Sequence, residues 1–387
     1  MRFFVLGAGL MGKEAVRDLL ANPAVEEVIV GDLVESQALR VCGQFNDSRL
    51  QAMQTDTSNE KGFIQAISNS DVLINATVYT LNEAVARLAI DAGVHAVDLG
   101  GNVNEISRNI LALNEVAKRE GVTYITELGV APGLTNILVG YGVSKFDEVE
   151  TIQLRVGGLP KVPEPPLEYN QVYSIEGILY QYEGESTIIR NGLKLSVPAL
   201  TEVEDIYFDG FGTLEAFHTA GGTSTLPDTF ADVCHLDYKT IRYPGHAQKM
   251  KLLSELNLMK EDYFIEINGQ DVRPRDVFAK VLQPIIALGD KEDVVLVRVL
   301  LEGRKGNNRM RYEFELQTDF DRENNVTAMA RSTAYSISVV AQMIAKGDIQ
   351  EKGVFAPEQI VPGALFVEEM KKRGVWIQEK QTIVNTN

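Results

Sequence analysis

Three glycines near the start of the chain constrain its fold more than any other feature. Gly7, Gly9 and Gly12 follow directly after the apolar run of residues 3–6. A strand, a glycine-rich turn and a helix in this order form the phosphate-binding turn of a Rossmann-type domain. In that turn Gly7 would allow the tight bend, Gly9 would let the backbone approach a pyrophosphate, and Gly12 would let the helix pack closely on the strand. The motif therefore predicts a dinucleotide-binding domain.

An acidic residue further along the chain indicates which dinucleotide binds. A second apolar run, residues 28–30, ends at Gly31 and Asp32. A carboxylate at this position hydrogen-bonds the ribose hydroxyls of NAD and would repel the 2′-phosphate of NADP. Residues 33–37 contain no Arg or Lys that could neutralise such a phosphate. We therefore expect NAD as the cofactor.

Strand and helix patterns alternate regularly up to about residue 126. Short apolar runs predict six strands, near residues 3–6, 28–32, 50–53, 71–75, 95–99 and 122–126. Apolar residues at helical spacing predict the helices between them, near residues 12–20, 35–42, 63–67, 82–92 and 107–120. This alternation predicts an α/β fold with a Rossmann-type, doubly wound parallel sheet.

The pattern changes near residue 150 to one typical of antiparallel hairpins. Four prolines within residues 160–166 exclude helix there. Asn191-Gly192 stands between two strand-like runs and predicts a type I′ turn. A second hairpin is predicted from residues 294–301 and 310–316, and helices near residues 249–258 and 277–288. We expect a second, α+β domain with a mixed or antiparallel sheet, which binds substrate and forms oligomers.

The chain becomes helical again after residue 328. Apolar and small residues keep a helical face between residues 329 and 344. We interpret this helix as returning to the first domain. We therefore predict an NAD-binding domain formed by residues 1–130 together with about residues 328–387. Residues 131–327 are predicted to form the substrate-binding domain.

Ligands of an open parallel sheet bind beyond the carboxyl ends of its strands. Thr55 and Asp56 are therefore expected near the adenine, and residues 76–78 near the nicotinamide half. Residues 129–133 precede a predicted helix and would offer free N–H groups. The full set of cofactor candidates is Gly7, Gly9, Leu10, Met11, Gly12, Asp32, Thr55, Asp56, Ala76, Thr77, Val78, Leu99 and Gly100.

Composition excludes several other classes of function. The chain has 54 acidic and 37 basic residues and a net charge of −17, which disfavours nucleic acids and anionic membranes as partners. No apolar segment approaches the ~20 residues that span a bilayer. With two cysteines and no histidine pair at i, i+4, neither a disulfide framework nor a catalytic metal is expected. We expect a soluble cytoplasmic homo-oligomer.

Several long segments resemble the saccharopine dehydrogenase-like family. The segments are residues 6–12, 129–133, 240–246, 327–334 and 353–363. Residues 163–170, 215–225 and 239–246 are most similar to the members that oxidise the ε-amine of lysine with NAD. The resemblance implies an amino-acid substrate that yields ammonia and 2-aminoadipate 6-semialdehyde, which cyclises. Members that act on saccharopine or carboxyspermidines share much of this framework, and a catalytically silent NAD-binding sensor is the alternative outside enzymes.

Such a reaction needs a base. The nitrogen lone pair must assist the loss of hydride from the neighbouring carbon, and a protonated amine has no lone pair to do so. His218 and His246 lie in glycine-containing stretches that predict loops, and His246 is the favoured base, with His218 or an acid as alternatives. Arg242 is the candidate for the substrate carboxylate, for which a guanidinium fork is suited; a structural ion pair is its alternative. The secondary candidates for polar substrate contacts are Thr240, Tyr169 and Asn170.

Overall fold

The computed structural model describes residues 1–101, 104–172 and 174–384. The chain divides into two compact units. The first unit comprises Met1–Ser144 and Ala330–Ile377, and the second comprises Lys145–Met329 and Gln378–Asn387. The assignment of these units to cofactor and substrate stays a prediction.

The elements of the first chain segment alternate between strand and helix. The strands are β1 (Arg2–Leu6), β2 (Glu27–Asp32), β3 (Leu50–Gln54), β4 (Val72–Asn75), β5 (His95–Asp98) and β6 (Thr123–Ile125). The helices are α1 (Leu10–Leu20), α2 (Glu35–Phe45), α3 (Glu60–Ile67), α4 (Asn82–Asp91), α5 (Asn104–Leu111), α6 (Asn114–Arg119) and α7 (Leu134–Val143).

Up to residue 319, the described residues of the second unit form ten further strands and four helices. The strands are β7 (Glu148–Pro160), β8 (Glu185–Arg190), β9 (Leu193–Pro198), β10 (Glu204–Phe208), β11 (Gly212–Phe217), β12 (His235–Arg242), β13 (Ile265–Ile267), β14 (Gln270–Val272), β15 (Asp293–Lys305) and β16 (Asn308–Asp319). The helices are α8 (Ile175–Glu183), α9 (Leu226–Thr229), α10 (His246–Glu255) and α11 (Pro274–Ile286).

The remaining elements return to the first unit before the last strand. They are α12 (Ala328–Lys346), β17 (Gly353–Phe355), α13 (Pro357–Ile360), α14 (Gly363–Lys372) and β18 (Ile377–Ile383). Among the residues described, no helix has both the length and the apolar character needed to cross a bilayer.

The first sheet is parallel and has the order β17-β6-β5-β4-β1-β2-β3. Apart from β17, this is the strand order of a Rossmann sheet, so the predicted doubly wound fold is confirmed. Its central strands are buried on both faces, which explains their continuous apolar runs. The carboxyl ends of β1, β2 and β4 come together at one edge, where the glycine turn lies.

The second sheet is mixed. Its main path is β10-β11-β12-β7-β15-β16-β18, and the hairpin β8–β9 joins it through β12. Strand β12 is parallel to β7 and antiparallel to β11. The predicted hairpin at Asn191-Gly192 is confirmed, with φ of +53° and +74° at the two turn residues. Both values are positive, as a type I′ turn requires.

The single helix predicted over residues 107–120 is wrong. Two helices, α5 and α6, occupy this region and are separated by a turn at residues 112–113. The side-chain oxygen of Asn114 accepts a hydrogen bond of 3.1 Å from the backbone N–H of Val354 in β17. This long-range contact fixes the start of α6, so tertiary structure overrides the continuous helical pattern.

Candidate functional site

The glycine turn joins β1 to α1 in the first unit. Gly7 has a φ of +101°, which favours glycine. A Cβ atom added to Gly12 would lie 1.8 Å from the carbonyl oxygen of Gly7, so α1 can pack on the turn only without a side chain there. A Cβ atom added to Gly9 would meet nothing within 4 Å. The turn is therefore closed on the protein side at Gly12 and open at Gly9, as a bound diphosphate requires.

Asp32 stands at the end of β2, beside this turn. Its Oδ2 accepts a hydrogen bond of 2.8 Å from the backbone N–H of Ala8, and its Oδ1 accepts one of 2.9 Å from Val34. These two bonds hold the carboxylate in a fixed orientation at the turn. The next side chains, Leu33 and Val34, are exposed and apolar. The described surroundings of Asp32 are suited to ribose hydroxyls and contain no cation for a 2′-phosphate within residues 33–37.

Thr55 and Asp56 follow β3, the strand next to β2. The backbone N–H of Thr55 donates to the carbonyl oxygen of Asp32 at 2.9 Å, which brings this residue to the predicted ribose position. Thr55 is buried, whereas Asp56 is exposed and accepts a hydrogen bond of 2.8 Å from the N–H of Ser58. Hydrogen bonding to Ser58 lowers the pKa of Asp56, so this carboxylate caps a local turn.

Ala76, Thr77 and Val78 follow β4 and lie against the glycine turn. The carbonyl oxygen of Ala76 would be 2.8 Å from a Cβ atom on Gly7. The hydroxyl of Thr77 donates to Asn75 Oδ1 at 2.6 Å, and Val78 is exposed. The structure thus brings these residues to the turn, together with Leu10, which begins α1, and Met11.

Leu99 and Gly100 follow β5 at a buried carboxylate that the sequence analysis did not identify. Asp98 is fully buried, and burial raises the pKa of its carboxyl group. Its oxygens accept hydrogen bonds from Asn82 Nδ2, Gly100 N, Tyr124 Oη, Thr126 Oγ1 and Glu127 N, at 2.6–3.2 Å. Asp98 therefore fixes the loops that follow β5 and β6.

The expectation of free N–H groups at residues 129–133 is wrong for the start of α7. The N–H of Gly133 donates to Asn136 Oδ1 at 3.2 Å. The N–H groups of Leu134 and Thr135 donate to the carbonyl oxygens of Gly129 and Val130 at 2.9 and 3.0 Å. The loop satisfies its own donors, so this helix start has no spare donors there for an anion.

In the second unit the structure brings together Arg242, Tyr169 and His246. Arg242 ends β12 and is 3% exposed. Its guanidinium carbon lies 4.7 Å from the centre of the Tyr169 ring, a cation–π contact. Its Nε donates to the hydroxyl of Tyr182 at 3.2 Å, and its Nη1 donates to the carbonyl oxygen of Ile241 at 2.8 Å. These contacts fix the plane of the guanidinium fork.

His246 is the first residue of α10 and is fully buried, so its predicted position in a loop is wrong. Its Nδ1 lies 2.8 Å from the carbonyl oxygen of Leu167, which can only accept, so this nitrogen carries the proton. Its Nε2 then accepts from the hydroxyl of Tyr182 at 2.9 Å. Burial, and secondly the charge of Arg242, lower the pKa of His246 to about 3. With both nitrogens engaged and protonation disfavoured, the geometry does not favour His246 as a general base.

Tyr182 is the central residue that sequence reasoning missed. Its hydroxyl oxygen accepts from Arg242 while its proton is donated to His246, which gives one directed chain of hydrogen bonds. Tyr182 lies in α8, sixty positions before Arg242 along the sequence. No local motif marks it, because it reaches the site only through the packing of α8 on the sheet.

Thr240 and the other strand residues complete this region. The hydroxyls of Thr240 and Thr219 lie 2.7 Å apart. The ring of Phe217 stacks on His246 with centres 6.4 Å apart. The carboxylate of Glu215 accepts hydrogen bonds from the N–H groups of Gly245 and Ala247 at 2.8 and 2.6 Å, and so caps the start of α10. Thr219 and Glu215 were not among the predicted residues.

His218 and Asn170 lie apart from this cluster. Phe217, the last residue of β11, pairs with Thr240 in the sheet, and His218 lies in the loop that follows. There its Nε2 lies 3.3 Å from Glu202 Oε2. Asn170 is buried, and its amide donates to the carbonyl oxygens of Ile286 and Ala287 at 3.4 and 3.2 Å. Asn170 thus fastens its loop to the end of α11.

The fold and the glycine turn define a dinucleotide-binding protein of two units. A sequence model described as the saccharopine dehydrogenase NADP binding domain matches residues 3–125. A second model, described as the saccharopine dehydrogenase C-terminal domain, matches residues 129–375. The chain belongs to the saccharopine dehydrogenase family, which confirms the family predicted from its motifs. In the part of the chain that the structure describes, no group of three or more His, Cys, Asp or Glu could hold a metal ion.

Individual relatives are distant in sequence. The mitochondrial alpha-aminoadipic semialdehyde synthase of Bos taurus is 23% identical over 451 residues, which cover 99% of this chain and 48% of the relative. Saccharopine dehydrogenase (NADP(+), L-glutamate-forming) of Schizosaccharomyces pombe is 20% identical over 404 residues, covering 85% of this chain and 88% of the relative. The chain thus spans about half the length of the mammalian relatives.

A solved structure shares the fold over nearly the whole chain. The apo histidine-tagged saccharopine dehydrogenase (L-Glu forming) from Saccharomyces cerevisiae superposes with a TM-score of 0.82 at 16% identity. The match covers 98% of this chain and 99% of the yeast chain. At this identity the likeness shows the fold.

Proposed function

We propose that this protein is an NAD-dependent L-lysine 6-dehydrogenase. Lysine would lose a hydride from its ε-carbon to the cofactor, and water would hydrolyse the resulting imine. The products are ammonia, NADH and 2-aminoadipate 6-semialdehyde. The semialdehyde then cyclises. The family and the names of the relatives support chemistry on lysine-derived amino acids.

The observation that carries this proposal is the buried, oriented guanidinium of Arg242. A bidentate fork held in one plane matches the geometry of a carboxylate. Tyr169 covers one face of the fork and Tyr182 holds its Nε. Arg242 would therefore bind the α-carboxylate of lysine, with Thr240 and Tyr169 beside it.

The other buried bases of the second unit favour lysine over a substrate with several carboxylates. Arg155 contacts Asp237 at 3.0 Å, Lys239 contacts Glu204 at 2.7 Å, and Arg275 lies 3.6 Å from Glu176. These three side chains are neutralised by acids of the chain itself. Saccharopine dehydrogenase activity, which the relatives favour, is the second candidate and would need further carboxylate-binding groups; a carboxyspermidine-type substrate is a third.

Asp32 supports NAD over NADP, although the matching family model is described as an NADP-binding domain. Its carboxylate is fixed by two backbone N–H groups at the turn. A 2′-phosphate there would meet this negative charge with no basic side chain in residues 33–37. Asp32→Ala is expected to weaken NAD use and to reduce the preference for NAD over NADP. An unchanged ratio of the two kcat/KM values would place Asp32 away from the ribose.

We do not assign the removal of the proton from the substrate amine to His246, which was the base expected from the sequence. His246 holds its own proton on Nδ1 and is fully engaged, so we assign it to positioning Arg242 through Tyr182. The reactive amine would then form by loss of a proton from lysine itself, whose free amine titrates near 10.4. This assignment predicts that turnover rises with pH above neutrality.

The direct test is NAD reduction measured with lysine, saccharopine, ornithine and carboxyspermidine. Activity with lysine that falls in Arg242→Ala is the expected result. Removing the charged partner of a buried carboxylate costs about 2–5 kcal/mol, which is a rise in the lysine KM of roughly 30-fold or more. The KM for NAD should stay near its wild-type value.

Arg298→Ala is the matched control, since Arg298 also stacks on an aromatic ring, Phe208, in the same unit. It should leave the lysine KM unchanged. Turnover of saccharopine without turnover of lysine would replace the proposal by its alternative. Tight NADH binding without turnover of any of these amines would favour an NAD-binding sensor. If Arg242→Ala lowers thermal stability alone, the guanidinium is structural.

A further inference from the structure

Three polar side chains meet at the amino ends of three neighbouring strands of the first sheet. His95 begins β5, Thr123 begins β6, and Lys352 immediately precedes β17. The three strands are parallel, with β6 in the middle. We call these residues the amino-end cluster. It lies at the opposite ends of the strands from the glycine turn, so it is separate from the predicted cofactor site.

The backbone fixes the nitrogen on which His95 carries its proton. The N–H of Thr123 donates a hydrogen bond of 2.9 Å to Nδ1 of His95. Nδ1 therefore offers a lone pair, and the proton of the neutral ring is on Nε2. Burial is the main cause that lowers the pKa of His95 to about 4, so the ring is neutral at pH 7. At that pH its Nε2 can only donate.

The amine of Lys352 is the group that faces this donor. Its Nζ lies 3.2 Å from Nε2 of His95 and 3.3 Å from Oγ1 of Thr123. The hydroxyl of Thr123 donates its own proton to the carbonyl oxygen of Glu351 at 2.7 Å, so Oγ1 accepts from Nζ. An ammonium group has three donors and no acceptor, and it would meet the Nε2–H with a like pole. A neutral amine satisfies both contacts, since it accepts from His95 and donates to Thr123.

No acid in the described part of the chain forms an ion pair that would hold a third proton on this amine. The acid that acts on His95 is Asp71, just before β4, and it already contacts the backbone N–H of Arg2 at 2.7 Å and its guanidinium at 3.7 Å. Glu351 is exposed to solvent. Burial lowers the pKa of Lys352, in agreement with the hydrogen-bond directions.

We propose that Lys352 is a site of covalent acylation, at which its neutral amine attacks the acyl carbon of a small activated donor such as an acyl phosphate. The lone pair of Nζ forms the new C–N bond, the bond from the acyl carbon to the phosphate oxygen breaks, and phosphate leaves with that electron pair. One proton of Nζ passes to water, and nothing is oxidised or reduced. Lys352 is only partly buried, so a small donor can reach it.

His95 would also assist this attack. Once the lone pair of Nζ turns to the acyl carbon, the Nε2–H of His95 is free to donate to the acyl oxygen. That oxygen gains negative charge during the attack, and a positioned N–H donor stabilises it. The inference does not depend on the proposed activity, because neither the cofactor nor the amino-acid substrate takes part.

The test is the rate at which each lysine of the full chain is acetylated by acetyl phosphate at pH 7, followed by peptide mass spectrometry. An ordinary lysine amine, with a pKa near 10.4, is neutral in about one molecule in 2,500 at this pH. Lys352 should therefore react roughly tenfold faster or more than Lys251 and Lys280, the exposed lysines of α10 and α11 that serve as internal controls. Accessibility alone would give the reverse order.

His95→Asn tests the hydrogen bond that keeps the amine neutral. The shorter amide can still accept from the N–H of Thr123, but it leaves no donor at Nζ, so Lys352 can take up a third proton. Its acetylation rate should fall roughly tenfold, towards that of Lys251. His235→Asn, at an exposed histidine of the second unit, is the matched control and should leave the rate unchanged.

The wild-type comparison decides the proposal even if His95→Asn does not fold, which circular dichroism would reveal. A rate for Lys352 at or below the rates of Lys251 and Lys280 would mean that the amine is protonated, and would overturn the proposal. A fast rate that a folded His95→Asn variant leaves unchanged would overturn the role given to His95.

Discussion

Replacing His246 by Gln should change how the stability of the protein depends on pH. In the folded chain the pKa of His246 is about 3, because the ring is buried and close to Arg242. In the unfolded chain the imidazole accepts a proton near pH 6.5. Between these values the unfolded state binds a proton that the folded state does not, so acid favours unfolding. The stabilisation is fully present above pH 6.5 and is lost as the pH falls towards 3.

The size of this effect follows from the two pKa values. A pH of 5 lies about 1.5 units below the pKa of the unfolded side chain, and each unit corresponds to about 1.36 kcal/mol. His246 alone should therefore lower the free energy of unfolding by about 2 kcal/mol between pH 7.5 and pH 5. A folded pKa anywhere between 2 and 4 gives nearly the same figure, because the folded ring is uncharged at pH 5 in each case.

Urea unfolding at pH 7.5, 6 and 5, followed by circular dichroism and tyrosine fluorescence, measures this difference. His246→Gln should lose about 2 kcal/mol less than wild type over this range, even if it is less stable at every pH. His235→Gln is the control, because His235 is an exposed histidine of the same unit, at the start of β12. Equal pH dependence of wild type and His246→Gln would mean that folded His246 takes up its proton near pH 6.5. The hydrogen-bond directions assigned to Tyr182 would then be wrong.

Three further outcomes are expected. Tyr182→Phe should raise the lysine KM about tenfold, which corresponds to about 1.4 kcal/mol, because the guanidinium loses the hydroxyl that orients it. The kcat and the KM for NAD should stay near wild type. Tyr243→Phe is the control and should leave the lysine KM unchanged, because it removes a hydroxyl bonded to a backbone carbonyl elsewhere in the sheet. Gly12→Ala should abolish NADH binding measured by fluorescence, because its Cβ has no room, whereas Gly43→Ala, with open space around it, should bind normally. Lysine oxidation should rise from pH 7 towards pH 10, and a flat profile would require a protein base.

Local features of the sequence predicted the first unit well. The glycine turn depends on residues that are close along the chain, and the parallel sheet follows from alternating apolar runs. Asp98 was missed although it ends a predicted strand, because its five donors come from three separate segments of the chain: residue 82, residue 100 and residues 124–127. Its neighbours along the chain do not reveal them.

The second unit shows where such reasoning fails. Arg242 and His246 are four positions apart in the sequence, and the structure brings them together through Tyr182. Tyr182, which joins them, comes from another helix and has no local signal. His218 lies in a loop directly after β11, as predicted, but its contact with Glu202 comes from a distant segment that no local pattern indicates. The role of His246 required the identity of both partners of its ring, which only the packing supplies.

Strand β17 has a consequence for how the chain folds as it is made. It pairs with β6, which has β5 on its other side. Until residues 353–355 leave the ribosome, β6 has unpaired backbone N–H and C=O groups along one edge. The whole of residues 145–329 is synthesised during that interval. An open edge of this kind can pair with the edge of another chain, so the nascent protein is exposed to such pairing throughout the synthesis of residues 126–352.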